Sequence, residues 1–386
     1  MLASFNIPPT VILGGGASLE IVEQVGRIGA RRALLVTDAH LLRSGVAEAI
    51  TRRLQAGGIE TAVYAGVQPD PTVQNVMEGF EELRRCQAEL VIGLGGGSPM
   101  DAAKAIAILA TNAPPISQYA GYQRIPRPGL PLVAVPTTAG TGSEVSKAAV
   151  ITDTDRDVKM LLFDPHLLPC VALVDYELTL TMPPALTAHV GVDTLTHGIE
   201  AYVSRRATPL SDVFALECIR CVARHLRTAY AEPNNRPSRE GMMAAACQGG
   251  MAFSNSSVCL VHGMSRPIGA HFHVAHGLSN AVLLPDVTRF SLAGAPERYA
   301  TVARVIGIVG ERASPEEAGA ALIHYLEALN RDLAIGRLRD MVVGGRAALE
   351  PRVAAMADAA LASGSPQNNP RVPSREEIVD LYWQAW

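Results

Sequence analysis

The sequence predicts an α/β domain on a mostly parallel sheet, followed by an all-helical domain. Three observations predict this. Short apolar runs alternate with helical patterns through the first half. Beyond Met182-Pro-Pro184 the apolar period is helical nearly throughout. A chain of 386 residues with 48% hydrophobic content also exceeds one ordinary core. Two successive prolines block regular structure, so the domains are expected at 1–182 and 183–386.

In order, Val11-Ile-Leu13 is a short strand ending in Gly14-Gly-Gly16, and Leu19 to Ile28 follows with a helical period. Ala33-Leu-Leu-Val-Thr37 is wholly apolar up to its threonine and is bounded by Asp38, as a buried parallel strand should be. A helix from about Gly45 to Ala56 leads to a strand at Thr61–Tyr64. Pro69-Asp-Pro-Thr72 is a turn opening a helix from Val73 to Cys86. The strand Leu90–Leu94 runs directly into Gly95-Gly-Gly-Ser-Pro-Met-Asp101 and a helix, and Leu132–Val135 runs into Pro136-Thr-Thr-Ala-Gly-Thr-Gly-Ser-Glu144. In the second half, 203–210 and 231–238 read as polar, proline-containing loops, and 364–375 as a loop before a short terminal helix.

Composition excludes several roles. A net charge of −4 without basic or acidic tracts speaks against nucleic acid and anionic membranes as partners. The start of the chain lacks a basic region and a sustained apolar run, so no secretory leader is expected. Apolar stretches stop short of a transmembrane span. Six scattered cysteines suit a reducing cytoplasm. Cys218 and Cys221 have Cys-x-x-Cys spacing but fall mid-helix, away from a helix N-terminus that would favour a thiolate, and are expected to be buried rather than redox-active.

Two glycine-rich loops point to a nucleotide. Gly95-Gly-Gly-Ser98 sits where a strand meets a helix, so backbone N–H groups and the helix N-terminus can meet a pyrophosphate. It is neither the Gly-x-Gly-x-x-Gly fingerprint nor a Walker A sequence. Thr137-Thr-Ala-Gly-Thr-Gly-Ser143 is a second such loop after another strand. Asp38, ending its strand, can accept from a ribose and repel a 2′-phosphate, which favours NAD over NADP; the alternative is that it caps the following helix.

A metal is suggested farther on. In Gly191–Tyr202, Leu195, Ile199 and Tyr202 fall near one stripe of a helix, which places Asp193 and His197 on one face, four residues apart. Four of the ten histidines lie between Val261 and Gly277: His262, His271, His273 and His276. A carboxylate with imidazoles suits iron(II) or zinc, but spacing does not choose among these histidines.

Four pieces, in order, resemble the iron-containing (group III) alcohol dehydrogenases: Gly95-Gly-Gly-Ser-Pro-Met-Asp101, Pro136-Thr-Thr-Ala-Gly-Thr-Gly-Ser-Glu144, Asp193-x-x-x-His197, and His262-Gly-Met with His276-Gly. The likeness runs from about Pro8 to the C-terminus. It implies the fold shared by those enzymes and dehydroquinate synthase, with NAD(H) and a metal in a cleft between the domains. It further implies a homodimer, and a metal held by Asp193, His197, His262 and His276. Carried over by position, the cofactor would be lined by Asp38, Asp70, Gly96, Gly97, Ser98, Asp101, Thr137, Thr138, Thr141, Ser143 and Lys159. Asp70 stands where many relatives have Asn. Arg266 stands where several members carry a histidine proposed to relay protons, and arginine does not titrate near neutral pH. The relay would then fall to His271, His273 or water, or Arg266 would hold an anionic substrate, or form a structural ion pair.

The expected activity is hydride transfer between nicotinamide and a small alcohol or aldehyde, with the metal as Lewis acid. The alternatives are a reductase of a small carboxylate- or phosphonate-bearing aldehyde or hydroxy acid anchored by Arg266, a dehydroquinate synthase-like lyase, a metal-dependent hydrolase and a non-catalytic binding protein.

Overall fold

A computed structural model describes residues 4–156 and 158–386. Residues 1–3, part of the stretch 1–9 in which a leader was sought, lie outside the described residues. The chain forms two compact units, Asn6–Thr181 and Met182–Trp386 with the first few residues.

The first unit runs β1 (Thr10–Leu13), α1 (Ile21–Ile28), β2 (Arg32–Asp38), α2 (Ala39–Arg43), α3 (Val46–Ala56), β3 (Glu60–Val67), α4 (Val73–Arg85), β4 (Leu90–Gly95), α5 (Gly97–Leu109), β5 (Gly121–Tyr122), β6 (Leu132–Pro136), β7 (Ala148–Asp153), β8 (Val158–Phe163) and β9 (Val171–Val174). Six strands make one parallel sheet in the order β1-β9-β6-β4-β2-β3. Both faces are covered, which is why β2 and β4 are apolar without alternation. Leu34 and Val36 join one core with Ile106 and Leu132, while Leu35 joins the other with Ile92 and Val133.

After β3 the chain crosses back over β2 to lay β4 on its other side. Strand order therefore reverses between β2 and β4, and ligands of open α/β sheets bind beyond the carboxyl ends at such a point. The sequence reading did not anticipate the antiparallel pair β7–β8, which forms a small second sheet with β5.

The second unit is helical, with no strand among the described residues: α6 (Pro184–Val203), α7 (Pro209–Ala231), α8 (Arg236–Asn255), α9 (Leu260–Phe272), α10 (His276–Ser291), α11 (Pro296–Ile306), α12 (Pro315–Asp332), α13 (Gly345–Leu349), α14 (Val353–Ala362) and α15 (Arg375–Ala385). Their starts follow capping chemistry. Thr208, Ser314 and Ser374 each close a capping box, two of them with a glutamate three residues on. From Gly191 to Val203 every residue of α6 is buried, so this helix is wrapped on all sides. It packs against α7, α8 and α10. Gly277 lets α10 come in close, because a Cβ there would lie 2.6 Å from the carbonyl oxygen of His189 on α6. That approach sets His276, the first residue of α10, beside Asp193.

Candidate active site

Asp193, His262 and His276 come together from α6, α9 and α10, with one ligand atom of each within 4.8 Å of the others. Asp193 and His262 are buried. His197, one turn after Asp193, is also buried, with Nε2 3.9 Å from Asp193 Oδ1. It stands at the margin of the tight group, its ring stacked between Phe253 at 4.5 Å and His262 at 4.7 Å.

The hydrogen bonds say which nitrogens face the centre. His262 Nδ1 lies 2.7 Å from Glu200 Oε2 and therefore donates its hydrogen outward, away from the cluster. The Ser279 hydroxyl donates to the carbonyl oxygen of His276, so the 2.6 Å contact between Ser265 and Ser279 takes the Ser265 hydrogen. Ser265 Oγ is then left to accept from His276 Nδ1 at 3.1 Å. Both imidazoles, when neutral, thus turn an Nε2 lone pair inward.

Those lone pairs and Asp193 Oδ1 meet the side-chain amide of Asn280. Its Nδ2 is 2.6 Å from Asp193 Oδ1 and 3.2 Å from each Nε2. One NH₂ has two hydrogens for three acceptors, so the centre holds more electron pairs than its own donors satisfy. The charge balance agrees. Burial works against ionising Asp193, but the His197 charge and the His262 hydrogen bond outweigh it and hold the carboxyl well below its usual range. Burial works against a charged His262, but hydrogen bonds to Asp193 and Glu200 push it up to about 9. Two buried carboxylates call for positive charge, which a proton or a divalent cation supplies. Nitrogen and oxygen donors of this kind fit iron(II) or zinc.

Other expected residues are not gathered into this group. His271 and His273 are exposed at the end of α9, where His273 adopts a left-handed backbone. Arg266, one turn after His262, donates to Ser365 Oγ at 3.1 Å and is close enough for its charge to be felt at His276. Glu200 and Asn280 were missed from sequence. Glu200 falls two turns after Asp193 on α6 and Asn280 one turn after His276 on α10, so helical spacing from a suspected ligand was the signal available.

In the α/β unit, Asp38, Gly95–Ser98 and Thr137–Ser143 lie at or just beyond the carboxyl ends of β2, β4 and β6, neighbours in the sheet at the reversal of strand order. Helix α5 opens at Gly96 with no side-chain cap. A Cβ on Gly97 would come within 3.0 Å of Thr141 Cγ2, so side-chain-free backbone keeps the space between the two loops open. Asp38 caps α2, accepting from the Leu41 N–H through Oδ1 at 2.9 Å and leaving Oδ2 for another donor. Ser98, Thr138 and Thr141 are partly exposed, and Thr137 is buried. Asp70, with a left-handed φ of 56°, pairs with Lys159 at 2.7 Å.

Asp101 has an inward engagement. It accepts from Ser143 Oγ at 2.7 Å and from the Val150 N–H at 2.9 Å. Lys104, 1% exposed, donates to Ser143 Oγ and Ser146 Oγ and to the carbonyls of Ser146 and Ala148. Together they clasp the threonine-rich loop to α5. Burial pushes Lys104 down to about 8 and the nearby Glu144 up to about 7, each partly offset by the other's charge. Cys218 is buried, its thiol directed at the Thr194 carbonyl, and burial raises Cys221 to about 11, which speaks against a redox role.

Comparison with known proteins accords with this architecture. Residues 8–176 match the model of iron-containing alcohol dehydrogenase, and residues 187–386 match the C-terminal model of the same family. Lactaldehyde reductase of Escherichia coli (strain K12) is 40% identical over 98% of both chains. The structure of a 1,3-propanediol oxidoreductase superposes with a TM-score of 0.96 at 37% identity, covering 100% of both. That of sulfoacetaldehyde reductase from Bifidobacterium kashiwanohense in complex with NAD+ does so with a TM-score of 0.89 at 28% identity, covering 100% of this chain and 99% of the other. With both halves matched in order and the whole fold shared, the chain belongs to the iron-containing alcohol dehydrogenase family.

Proposed function

We propose that this chain reduces small aldehydes, and oxidises the matching alcohols, by hydride exchange with NAD(H) at a divalent metal. The observation that carries the reading is the convergence of Asp193 Oδ1 and two inward imidazole nitrogens on a single amide donor. Asp193, His197, His262 and His276 would hold iron(II), or zinc in its place. When bound, the ion supplies Lewis acidity toward the substrate oxygen.

The chain's own residues do the rest. Asn280 holds the Asp193 carboxylate in place. The N-terminus of α5 and the loop 137–143 receive the pyrophosphate, and Asp38 accepts from the ribose and disfavours a 2′-phosphate. Asp101, Ser143 and Lys104 keep the second loop in register with α5. In this reading residues 1–182 serve the nucleotide and 183–386 the metal. The working form is taken as a homodimer, as the family resemblance implies, in a reducing cytoplasm, which the scattered cysteines of the sequence suit. Sedimentation of the purified chain tests the dimer.

A second reading is favoured by Arg266. Its guanidinium lies one turn beyond His262 and acts electrostatically on His276, a place from which it could anchor a carboxylate, sulfonate or phosphonate on the substrate. The deciding experiment follows NADH oxidation by anaerobic, Fe(II)-loaded protein against neutral and anionic small aldehydes. Turnover abolished by chelator supports the class, and preference for the anionic set supports the second reading. Tight NADH binding with no turnover on any aldehyde would overturn both.

A further inference from the structure

Glu200 has no place in the expected ligand set, yet its carboxylate is among the most fully engaged groups of the helical unit. It is 2% exposed. Oε2 accepts from the Cys259 N–H at 2.8 Å and from His262 Nδ1 at 2.7 Å, and Oε1 accepts from the Val261 N–H at 2.6 Å. Cys259 and Val261 are at the start of α9, where free N–H groups and the helix dipole favour an anion. The same carboxylate therefore anchors the start of α9 and takes the outer hydrogen of the histidine at that helix's third position.

We infer that Glu200 is the positioning residue of the metal centre: it fixes His262 with Nδ1 protonated and Nε2 aimed at the metal, and so sets the metal affinity. This rests on the metal-centre reading above. Three features of the geometry support it. Asp193, His197 and Glu200 are spaced four and three residues apart on α6, so the helix that presents the ligands also carries the group that orients a ligand from α9. A carboxylate behind an imidazole raises the basicity of the far nitrogen and locks the ring. Glu200 has no rotamer freedom to give this up, because its two backbone donors pin both oxygens.

Glu200→Gln removes the charge while nearly keeping the shape. A carboxamide has one acceptor oxygen for three donors, and its NH₂ must face at least one of them. Zinc(II) affinity of the intact chain, measured by competition with a chromogenic chelator, should fall about 10–100-fold in this variant. Equal zinc affinity in the two proteins, with only the melting temperature lowered, would reduce Glu200 to a helix cap and overturn the inference. A wild-type chain that takes up no zinc and no iron(II) would instead sink the metal-centre reading itself. A second measurement needs no stable Gln variant. In zinc-loaded, ¹⁵N-histidine-labelled wild type, His262 should show a protonated, slowly exchanging Nδ1, identified by its loss in His262→Gln. An His262 whose Nδ1 carries no proton would contradict the assignment.

Discussion

In the α/β unit, Lys104 is met by four acceptors and Asp101 by two protein donors, so the buried charges there are answered from within the chain. In the helical unit, three acceptors share one amide with two hydrogens, and two carboxylates are sunk nearby. The first cluster is closed and holds a loop. The second is left short of positive charge and is suited to take it from outside. Buried ionisable groups alone do not mark a catalytic centre; the first cluster has a lysine ammonium of its own, whereas only imidazoles and a carboxylate meet at the Asn280 amide, and that is what separates these two.

The strongest way to break the comparison is to attack the open cluster. His262→Gln or Asp193→Ala should lower turnover by about 1,000-fold or more, as loss of several kcal/mol of Lewis-acid stabilisation implies. NADH binding, followed by fluorescence, should persist in both variants, because the nucleotide loops belong to the other unit. If NADH binding vanished with turnover, the division of labour would be wrong. Chelation of the wild type should reproduce the loss, and iron(II) should restore activity.

The closed cluster should fail differently. Lys104→Met strands Asp101 and Glu144 without their cation, and removing one partner of a buried pair costs about 3–5 kcal/mol. Urea denaturation should show that loss, with NADH affinity falling as the loop 137–143 comes free and metal affinity unchanged. A variant as stable as wild type would mean that the clasp is ornamental.

A gentler test uses pH. Glu144 has a folded pKa raised from 4.5 to about 7, so between those values the folded chain binds more protons than the unfolded one. Its contribution to stability is therefore present at low pH and is lost as pH rises through about 7. Glu144→Gln removes that titration, so the variant should gain on wild type by about 1–3 kcal/mol between pH 4.5 and 8, read from paired denaturation curves. A constant difference across that range would place the titration elsewhere. The smallest expected effect is at Arg266, where Arg266→Ala should change neutral-aldehyde turnover less than about tenfold; a loss confined to anionic aldehydes would mark it as their anchor.

Much of this was legible in the sequence for a physical reason. A parallel strand buried on both faces is apolar along its length, and 33–36, 90–94 and 132–135 are. Loops that lead from such strands into glycine are conspicuous too. The pair β7–β8 was not, because it belongs to a small sheet that is only partly covered. Asp193 and His197 were visible as a helical pair, but choosing His262 and His276 over His271 and His273 took the family resemblance. In the structure His262 and His276 stand beside Asp193, whereas His271 and His273, at the end of α9, are not gathered there. Glu200 and Asn280 carry no motif of their own. They matter through what they hold, and that is a property of packed helices rather than of spacing.

Asp193, His197 and Glu200 ride on one helix, and this has a consequence in time. Their mutual placement is local, complete within microseconds once α6 winds, whereas His262 and His276 arrive only when α9 and α10 dock. With the proposed ligand set, metal uptake is therefore a clock for assembly. In a refolding chain offered cobalt(II) as a coloured stand-in, the appearance of its visible absorption would time the docking of these helices, separately from the far-ultraviolet signal of the helices themselves.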